Sequence, residues 1–448
     1  MIDLTGYQRV LNHLPGGIVR AEVNAERIRC TDIAIQDGRA VSSVSFDQTK
    51  YYIRAGSERL GTVYTERPDD DAAALFRMAS ENARWTDAGD TPMNGAERCF
   101  SDTDSGENEP VRDMIALGAK TESALNPANV HGLHVRVTER ELRTVNSLGL
   151  DSFTHCHWAE MNAAVSLPRP GMQAAESEAN VSAARLSQLD PDAFARKALA
   201  LAERTDGGGL KPMAVSSGAY DCVMTGQVLR NILMTAWRCF SAETMQSGSS
   251  CFREPGEKIG SSFVNFINAP IHPLSGKKMP VDSEGTPMRE TAVVQGGMLA
   301  NPLSTLSSAR KFGTESNGCA GRIPVMTGNV PIALTTVPGL FFLKPDAQNT
   351  QGQLIKRMGT GFVLTYSLDL FHSVNIASGQ FSVPCGGYFV QNGETAGSVS
   401  QMTVAGSLRD LFTAVEAVGD DLDFDDFYFR NYCVGSPSAL LRGLKFSG

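Results

Sequence analysis

The pattern of apolar and polar residues predicts short strands in the N-terminal part of the chain. Ile18–Val23 and Thr31–Gln36 alternate in part between apolar and polar side chains, as half-buried strands do. Asp37-Gly38 then favours a two-residue hairpin turn into the segment that begins at Val41. Further strands are predicted at residues 134–138, 142–147 and 153–167.

Apolar residues spaced three or four apart predict helices between these strands. One helix follows Asp69–Asp71, whose acidic side chains suit the positive end of a helix dipole. A second covers residues 110–125, and a third begins at Asp190-Pro191, because aspartate caps helices and proline fits the first helical position. Residues 87–110 are rich in Asp, Gly, Pro and Glu without a period, which predicts a surface loop.

The pattern changes after the glycine run in Asp206–Gly209, which is the best candidate for a domain boundary. One more helix is predicted from Gly226 to Thr244, and an amphipathic helix from Leu408 to Val418. Short apolar segments punctuated by glycine fill most of the remainder and indicate an antiparallel sheet or barrel. The predicted fold class is α+β, with an N-terminal α/β domain (1–206) and a β-rich C-terminal domain (210–448).

Composition and charge argue against several classes of protein. The formal net charge of −9, with Lys and Arg scattered singly, argues against a nucleic-acid partner. No stretch approaches the ~20 apolar residues of a membrane helix, and Met1–Gly6 lacks the basic and apolar regions of a signal peptide. The nine cysteines include no CxxC pair and are interpreted as reduced thiols. We therefore expect a cytoplasmic protein without a membrane partner.

Eight short motifs follow one another along the C-terminal part of the chain. They are Ser217–Met224, Gly256–Gly260, Val281–Arg289, Gly297–Leu299, Asn375–Ser382, Gln391–Glu394, Val404–Leu408 and Ser436–Ser438. Each motif is weak alone, but in this collinear order they resemble those of the TldD/PmbA family of peptide-processing metalloproteases, and the strand and helix layout of the N-terminal part agrees. The resemblance covers essentially the whole chain and is to the TldE (PmbA) type of subunit.

The resemblance also implies where a metal site would lie. TldD-type members carry HExxxH on the helix after the first motif, so that two imidazoles bind zinc and the glutamate acts as general base. Counting from Tyr220 and from Gly256–Lys258, the equivalent positions here are Met234, Thr235 and Cys239. The resemblance therefore implies no catalytic residue, metal or cofactor in this chain, and zinc in a TldD-type partner.

Two functions follow from this resemblance. In the first, the chain is the non-catalytic subunit of a TldD/TldE heterodimer that degrades unfolded peptides or removes leaders from modified peptide precursors. The peptide would add as a strand to an exposed sheet edge. In the alternative, the chain is a homodimeric peptide-binding or regulatory protein of the modulator of DNA gyrase type, without protease activity.

Two further groups of residues leave alternatives open. His155-Cys156-His157, with the histidines of His131–His134, either gather metal ligands or are polar residues on a sheet. Asp282, Glu284 and Arg289 either line a peptide groove or an interface, or form an acidic turn onto which Arg289 pairs back. We find no serine-nucleophile elbow and no phosphate-binding loop.

Overall fold

The fold is that of a computed structural model. It describes residues 2–86, 91–98, 100–103, 109–168, 176–205, 209–323, 333–368, 372–425 and 432–448. Helices and largely antiparallel sheets make up these residues, so the predicted α+β class is confirmed. The predicted domain boundary falls mostly on residues 206–208, outside the described ranges, and the division into two domains stays a prediction.

Long strands joined by tight turns form one sheet in the N-terminal half. They are β1 (Arg20–Gln36), β2 (Arg39–Gly56), β3 (Leu60–Thr65), β4 (Ser101–Thr103), β5 (Asn129–Asn146), β6 (Asp151–Ser166) and β7 (Ser177–Ala183). Their order is β3-β2-β1-β5-β6-β4, with β7 also paired to β6. Asp37 and Gly38 have φ angles of 52° and 68°, so the predicted two-residue hairpin between β1 and β2 is confirmed.

Helices pack against this sheet. They are α1 (Thr5–Asn12), α2 (Ala72–Asn82), α3 (Val111–Ala124) and α4 (Pro191–Thr205), of which α2, α3 and α4 begin where the sequence predicts. The carboxylates of Asp71 and Asp190 each accept two backbone N–H groups, at the starts of α2 and α4. The surface loop predicted over residues 87–110 is interrupted by β4, which pairs with β6, so this prediction is wrong at residues 101–103. Residues 87–90, 99 and 104–108 of the predicted loop lie outside the described ranges.

The C-terminal half contains a barrel and a second sheet. Its strands are β8 (Gly218–Met224), β9 (Phe266–Ala269), β10 (Thr291–Gln295), β11 (Met298–Leu299), β12 (Ala320–Gly321), β13 (Thr335–Thr336), β14 (Leu340–Leu343), β15 (Gly361–Ser367), β16 (Gln380–Gln391), β17 (Glu394–Ser407), β18 (Val415–Val418), β19 (Asp423–Asp425), β20 (Cys433–Ser436) and β21 (Ala439–Ser447). The series β17-β16-β15-β8-β21 closes into a barrel because β21 also pairs with β17. The second sheet has the order β11-β10-β9-β14-β20-β19.

The helices of this half differ from the prediction at two places. They are α5 (Gly226–Ala236), α6 (Ala242–Gln246), α7 (Leu306–Lys311), α8 (Gln351–Met358) and α9 (Leu408–Ala414). The continuous helix predicted from Gly226 to Thr244 is wrong, because a 3₁₀ turn and an extended Ser241 separate α5 from α6. The helix predicted to Val418 ends at Ala414, because the next residues form β18 and pair with β21. Among the described residues, no helix has the length and apolarity needed to cross a membrane.

Candidate functional site

Helix α5, which carries two of the three positions predicted to be equivalent to a TldD-type metal site, runs through the core of the C-terminal half. Its first residue, Gly226, lies against β20, and a Cβ atom there would be 2.2 Å from the Ser436 carbonyl oxygen. The helix is buried almost all round, as expected of a helix enclosed by protein. Arg230 fixes it further by pairing with Asp423 of β19. Met234 and Thr235 therefore lie on a firmly held helix.

Met234, Thr235 and Cys239 each take a place in the surrounding packing. Met234 is 3% exposed and belongs to the main hydrophobic core, while Thr235 is half-buried. Cys239 is fully buried on the 3₁₀ turn Trp237–Phe240, and its Sγ donates to the Ile376 carbonyl oxygen at 3.5 Å. Because α5 ends at Ala236, Met234 and Cys239 do not share one continuous helix.

These three side chains do not fit a zinc ion. Zinc sites use imidazole, thiolate or carboxylate ligands, whereas a thioether and a hydroxyl are poor substitutes. A ligating thiol must lose its proton, and the hydrogen bond to Cys251 together with burial holds the pKa of Cys239 above its ordinary value. Among the residues that the structure describes, no three His, Cys, Asp or Glu side chains are grouped to hold a metal ion.

The segment Asp282–Thr286 is a tight, buried turn between the two halves. Asp282 Oδ1 accepts the N–H groups of Glu284 and Thr286 at 2.9 and 2.8 Å, and Oδ2 accepts that of Ala320 at 2.9 Å. On the other side of the turn, Asn94 Nδ2 donates to the Glu284 carbonyl oxygen at 2.8 Å. Thr144 Oγ1 of β5 also donates to the Ser283 carbonyl oxygen at 3.3 Å. The turn thus joins the N-terminal sheet to the loops of the C-terminal half.

Glu284 is a buried carboxyl group in a cluster of charges. It is 3% exposed, and its Oε2 accepts the N–H of Leu306 at the start of α7 (2.8 Å). Burial raises the pKa of Glu284 to about 7, against the favourable charge of Arg54. Arg54 itself is bound to Glu22, with Nε 3.0 Å from Oε1. Burial and the neighbouring Glu284 also raise the pKa of Asp282, although its three N–H donors favour the carboxylate.

Arg322 extends this cluster from the C-terminal half into the N-terminal sheet. Its guanidinium carbon lies 3.6 Å from the centre of the Tyr52 ring, and Nη1 donates to Asn24 Oδ1 at 2.6 Å. Burial lowers the pKa of Arg322 to about 10. Arg289, by contrast, is exposed and pairs with Glu315 at 3.1 Å, so the prediction that it pairs back onto the acidic turn is wrong.

The histidine pair on β6 is not brought together with the other histidines. His155 Nε2 lies 3.4 Å from Glu139 Oε2, and His157 Nδ1 lies 3.0 Å from the Ala184 carbonyl oxygen. His134 pairs with Asp32 and stands opposite Asn162 on β6, seven residues from His155. At ~3.3 Å per strand residue, this separation is roughly 23 Å. These residues therefore have separate partners within the sheet.

Three of the residues that matter here, Cys251, Arg54 and Arg322, were not singled out from the sequence. Each acquires its surroundings through contacts between distant segments: Arg322 with Asn24, Arg54 with Glu284, and Cys251 with Ile376. No local spacing signals such contacts. Of these three residues, a search for charged side chains inside otherwise strand-like segments would have found Arg54 alone.

The C-terminal half matches a known family. Residues 217–448 match the model described as the PmbA/TldA metallopeptidase C-terminal domain. The chain therefore belongs to the PmbA/TldD metallopeptidase family, and the predicted resemblance is confirmed at this level.

Relatives and solved structures agree with this assignment. Metalloprotease PmbA of Escherichia coli O157:H7 is 35% identical over 194 residues, which cover 43% of this chain and 38% of the relative. The PmbA homolog of Haemophilus influenzae is 32% identical over 169 residues, which cover 38% of this chain and 32% of the relative. The matched region thus spans about a third of these relatives.

Two solved structures have the same fold over nearly the whole chain. A protein of Thermotoga maritima described as a modulator of a DNA gyrase has a TM-score of 0.83 at 21% identity and covers 99% of this chain and 100% of its own. TldE from Thermococcus kodakarensis has a TM-score of 0.75 at 18% identity, and the match covers 96% of this chain and 97% of that protein. At these identities the likeness shows the fold alone.

Proposed function

We propose that this chain is the non-catalytic, TldE-type subunit of a heterodimeric zinc metallopeptidase. A TldD-type partner supplies the zinc and the general base. The observation that carries this proposal is the environment of Met234, Thr235 and Cys239: the thioether is packed in the core, and the thiol is engaged with Ile376 and Cys251. The likeness in fold to TldE of Thermococcus kodakarensis supports it.

The decisive experiment compares this chain, the TldD-type chain of the same genome and their mixture. The readouts are hydrolysis of a fluorogenic unfolded peptide and bound zinc measured by elemental analysis. We expect activity and zinc in the mixture, and neither in this chain alone. Thr235→Ala in this chain should leave the activity of the mixture unchanged, whereas replacing the partner's HExxxH glutamate should abolish it. Chelator-sensitive hydrolysis by this chain alone, with stoichiometric zinc, would refute the proposal.

The peptide substrate, in this proposal, adds to the free edge of β2. In the described part of the chain, residues 39–50 of β2 pair with β1 alone, because β3 reaches only residues 51–56. Val41, Val44 and Phe46 on this edge are 60, 56 and 49% exposed. A groove of about 370 Å³ lies on the sheet face next to Phe46, lined in part by Cys30 and Val137. Main-chain pairing at such an edge binds extended peptides with little sequence preference.

Charged substitutions on this edge test its role. Val44→Asp combined with Phe46→Asp should raise the KM of the mixture for unfolded peptide by about tenfold or more, with little change in kcat, because the apolar contacts are lost. The control is Leu148→Asp, a 47% exposed apolar residue in the turn between β5 and β6. If the double variant instead fails to co-elute with the partner, the edge is the subunit interface. An unchanged KM with intact assembly would exclude both roles.

A regulatory homodimer is the second candidate, and the fold of the Thermotoga maritima protein described as a modulator of a DNA gyrase favours it. The two candidates differ in the mixing experiment. If the mixture hydrolyses peptide no faster than the partner alone, and this chain elutes as a homodimer, the regulatory function replaces the catalytic assembly.

A further inference from the structure

Two cysteines from different segments meet beside the turn that follows α5. Cys239 is fully buried, and Cys251, twelve residues later, is half-buried. The two thiols lie close enough that each shifts the pKa of the other. Among the described cysteines, Cys251 is the one that is not fully buried, so it is the member of the pair that a reagent in solution reaches first.

A single carbonyl group fixes the positions of both residues. The Ile376 oxygen accepts the Cys239 thiol at 3.5 Å and the Cys251 backbone N–H at 2.8 Å. Ser250 adds a second link, because its Oγ donates to the Cys239 carbonyl oxygen at 2.7 Å and accepts the N–H of Phe252 at 3.0 Å. The backbones that carry the two thiols are thus held together by hydrogen bonds on both sides.

The surroundings of Cys251 favour a reactive sulfur. Gly379, with a φ of +72°, leaves room for it, because a Cβ atom there would lie 3.1 Å from the Cys251 Sγ. The neighbouring Cys239 side chain is the main cause that lowers the pKa of the Cys251 thiol, and the Arg409 guanidinium contributes in the same direction. Thiolates are the form of cysteine that reacts with peroxides.

We propose that Cys239 and Cys251 form a reversible disulfide when a peroxide oxidises this chain, with Cys251 as the attacking sulfur and Cys239 as the resolving one. The Cys251 thiolate attacks one peroxide oxygen, the O–O bond breaks, and the released hydroxide takes a proton to become water. The resulting sulfenic acid is attacked by the Cys239 sulfur. The S–OH bond breaks as the S–S bond forms, and the hydroxide leaves as water with the Cys239 proton. The two thiols are oxidised and the peroxide is reduced to two waters.

This reaction does not depend on the proposed peptidase function. A TldD-type chain would have a metal ligand at the position of Cys239. In the proposed reaction, the side chain at this position bonds to a second sulfur and not to a metal. Reduction by a dithiol reagent restores both thiols. The bond would tie the turn after α5 to the segment around Cys251.

The test uses the full chain treated with hydrogen peroxide and then freed of it. The number of free thiols titrated in denaturant should fall from nine, the number of cysteines in the sequence, to seven, and should return to nine after dithiothreitol. Trypsin cleaves after Arg238 and Arg253, so both thiols fall in one peptide, Cys239–Arg253, which should be lighter by two hydrogens. Cleavage after Glu243 should leave its two halves joined until reduction.

Single substitutions assign the two roles. Cys251→Ser, at the half-buried position, should abolish the disulfide, and Cys239→Ser should leave a sulfenic acid on Cys251 that a 1,3-diketone probe traps. The matched control is Cys156→Ser, a buried thiol on β6, which should still lose two thiols on oxidation. Circular dichroism checks that each variant is folded. A thiol count that stays at nine, a disulfide mapped to other cysteines, or one that persists in Cys251→Ser would overturn the proposal.

Discussion

Glu284 predicts a specific dependence of stability on pH. Its carboxyl group has an ordinary pKa of 4.5 in the unfolded chain and a pKa of about 7 in the folded one, because burial disfavours the charged form. The folded state therefore binds the proton more tightly. The resulting stabilisation is fully present below pH 4.5 and is lost as pH rises through 7, with a size of about 3 kcal/mol.

Glu284→Gln should remove this dependence. The glutamine is neutral at every pH and keeps an oxygen that can accept the N–H of Leu306. Urea unfolding at pH 5, 6, 7 and 8 gives the free energy of unfolding for both proteins. We expect the variant to gain stability relative to the wild type by about 2–3 kcal/mol between pH 5 and 8.

The control for this experiment is Glu315→Gln. Glu315 lies in the same half of the chain but is 67% exposed in its side chain and pairs with Arg289 on the surface. Its substitution should leave the pH dependence of the wild type in place. If the curves of wild type and Glu284→Gln run parallel from pH 5 to 8, burial of this carboxyl group does not control its protonation, and the reasoning is wrong.

The remaining predictions concern packing and cross-linking. Gly226→Ala should destabilise the protein by about 2 kcal/mol or more in urea unfolding, because its Cβ meets a backbone oxygen, whereas Gly352→Ala in α8, with open space around it, should be neutral or stabilising. Equal effects at the two glycines would contradict this. Met234→Ala should cost about 2–5 kcal/mol, against less than about 1 kcal/mol for Met298→Ala on the surface of β11. The oxidised thiol pair closes a loop of about 13 residues and should raise stability by about 3 kcal/mol, with a higher melting midpoint that dithiothreitol reverses; an unchanged midpoint would count against it.

The parts of the fold that depend on local chemistry could be predicted from the sequence. Asp37-Gly38 specifies its hairpin because both residues tolerate positive φ, and the caps Asp71 and Asp190 specify helix starts because their carboxylates reach backbone N–H groups. The glycine-punctuated strands of the C-terminal half indicated a sheet or barrel for the same kind of reason. None of these features needs information from a distant segment.

The parts that depend on distant contacts could not be predicted. The chain after Ala414 continues a helical pattern but becomes β18, because β21 offers it a pairing partner. The sequence indicates only an acidic turn at Asp282–Thr286, yet the turn is buried where Asn94, and Thr144 of β5, donate to its carbonyl oxygens. The Cys239–Cys251 pair depends on the carbonyl of Ile376, 125 residues further along the chain than Cys251. In each case the deciding partner is remote in sequence.

The surroundings of Met234 and Cys239 determine how readily metal ligands could be introduced at these two positions. A histidine at position 234 would put a polar ring in a core site that is 3% exposed, and its unpaired nitrogens would cost stability before any metal could bind. A histidine at position 239 would break the contacts of that thiol with Ile376 and Cys251. Because each change is costly alone and useful only in combination, the packing around Met234 and Cys239 opposes the introduction of metal ligands at these positions.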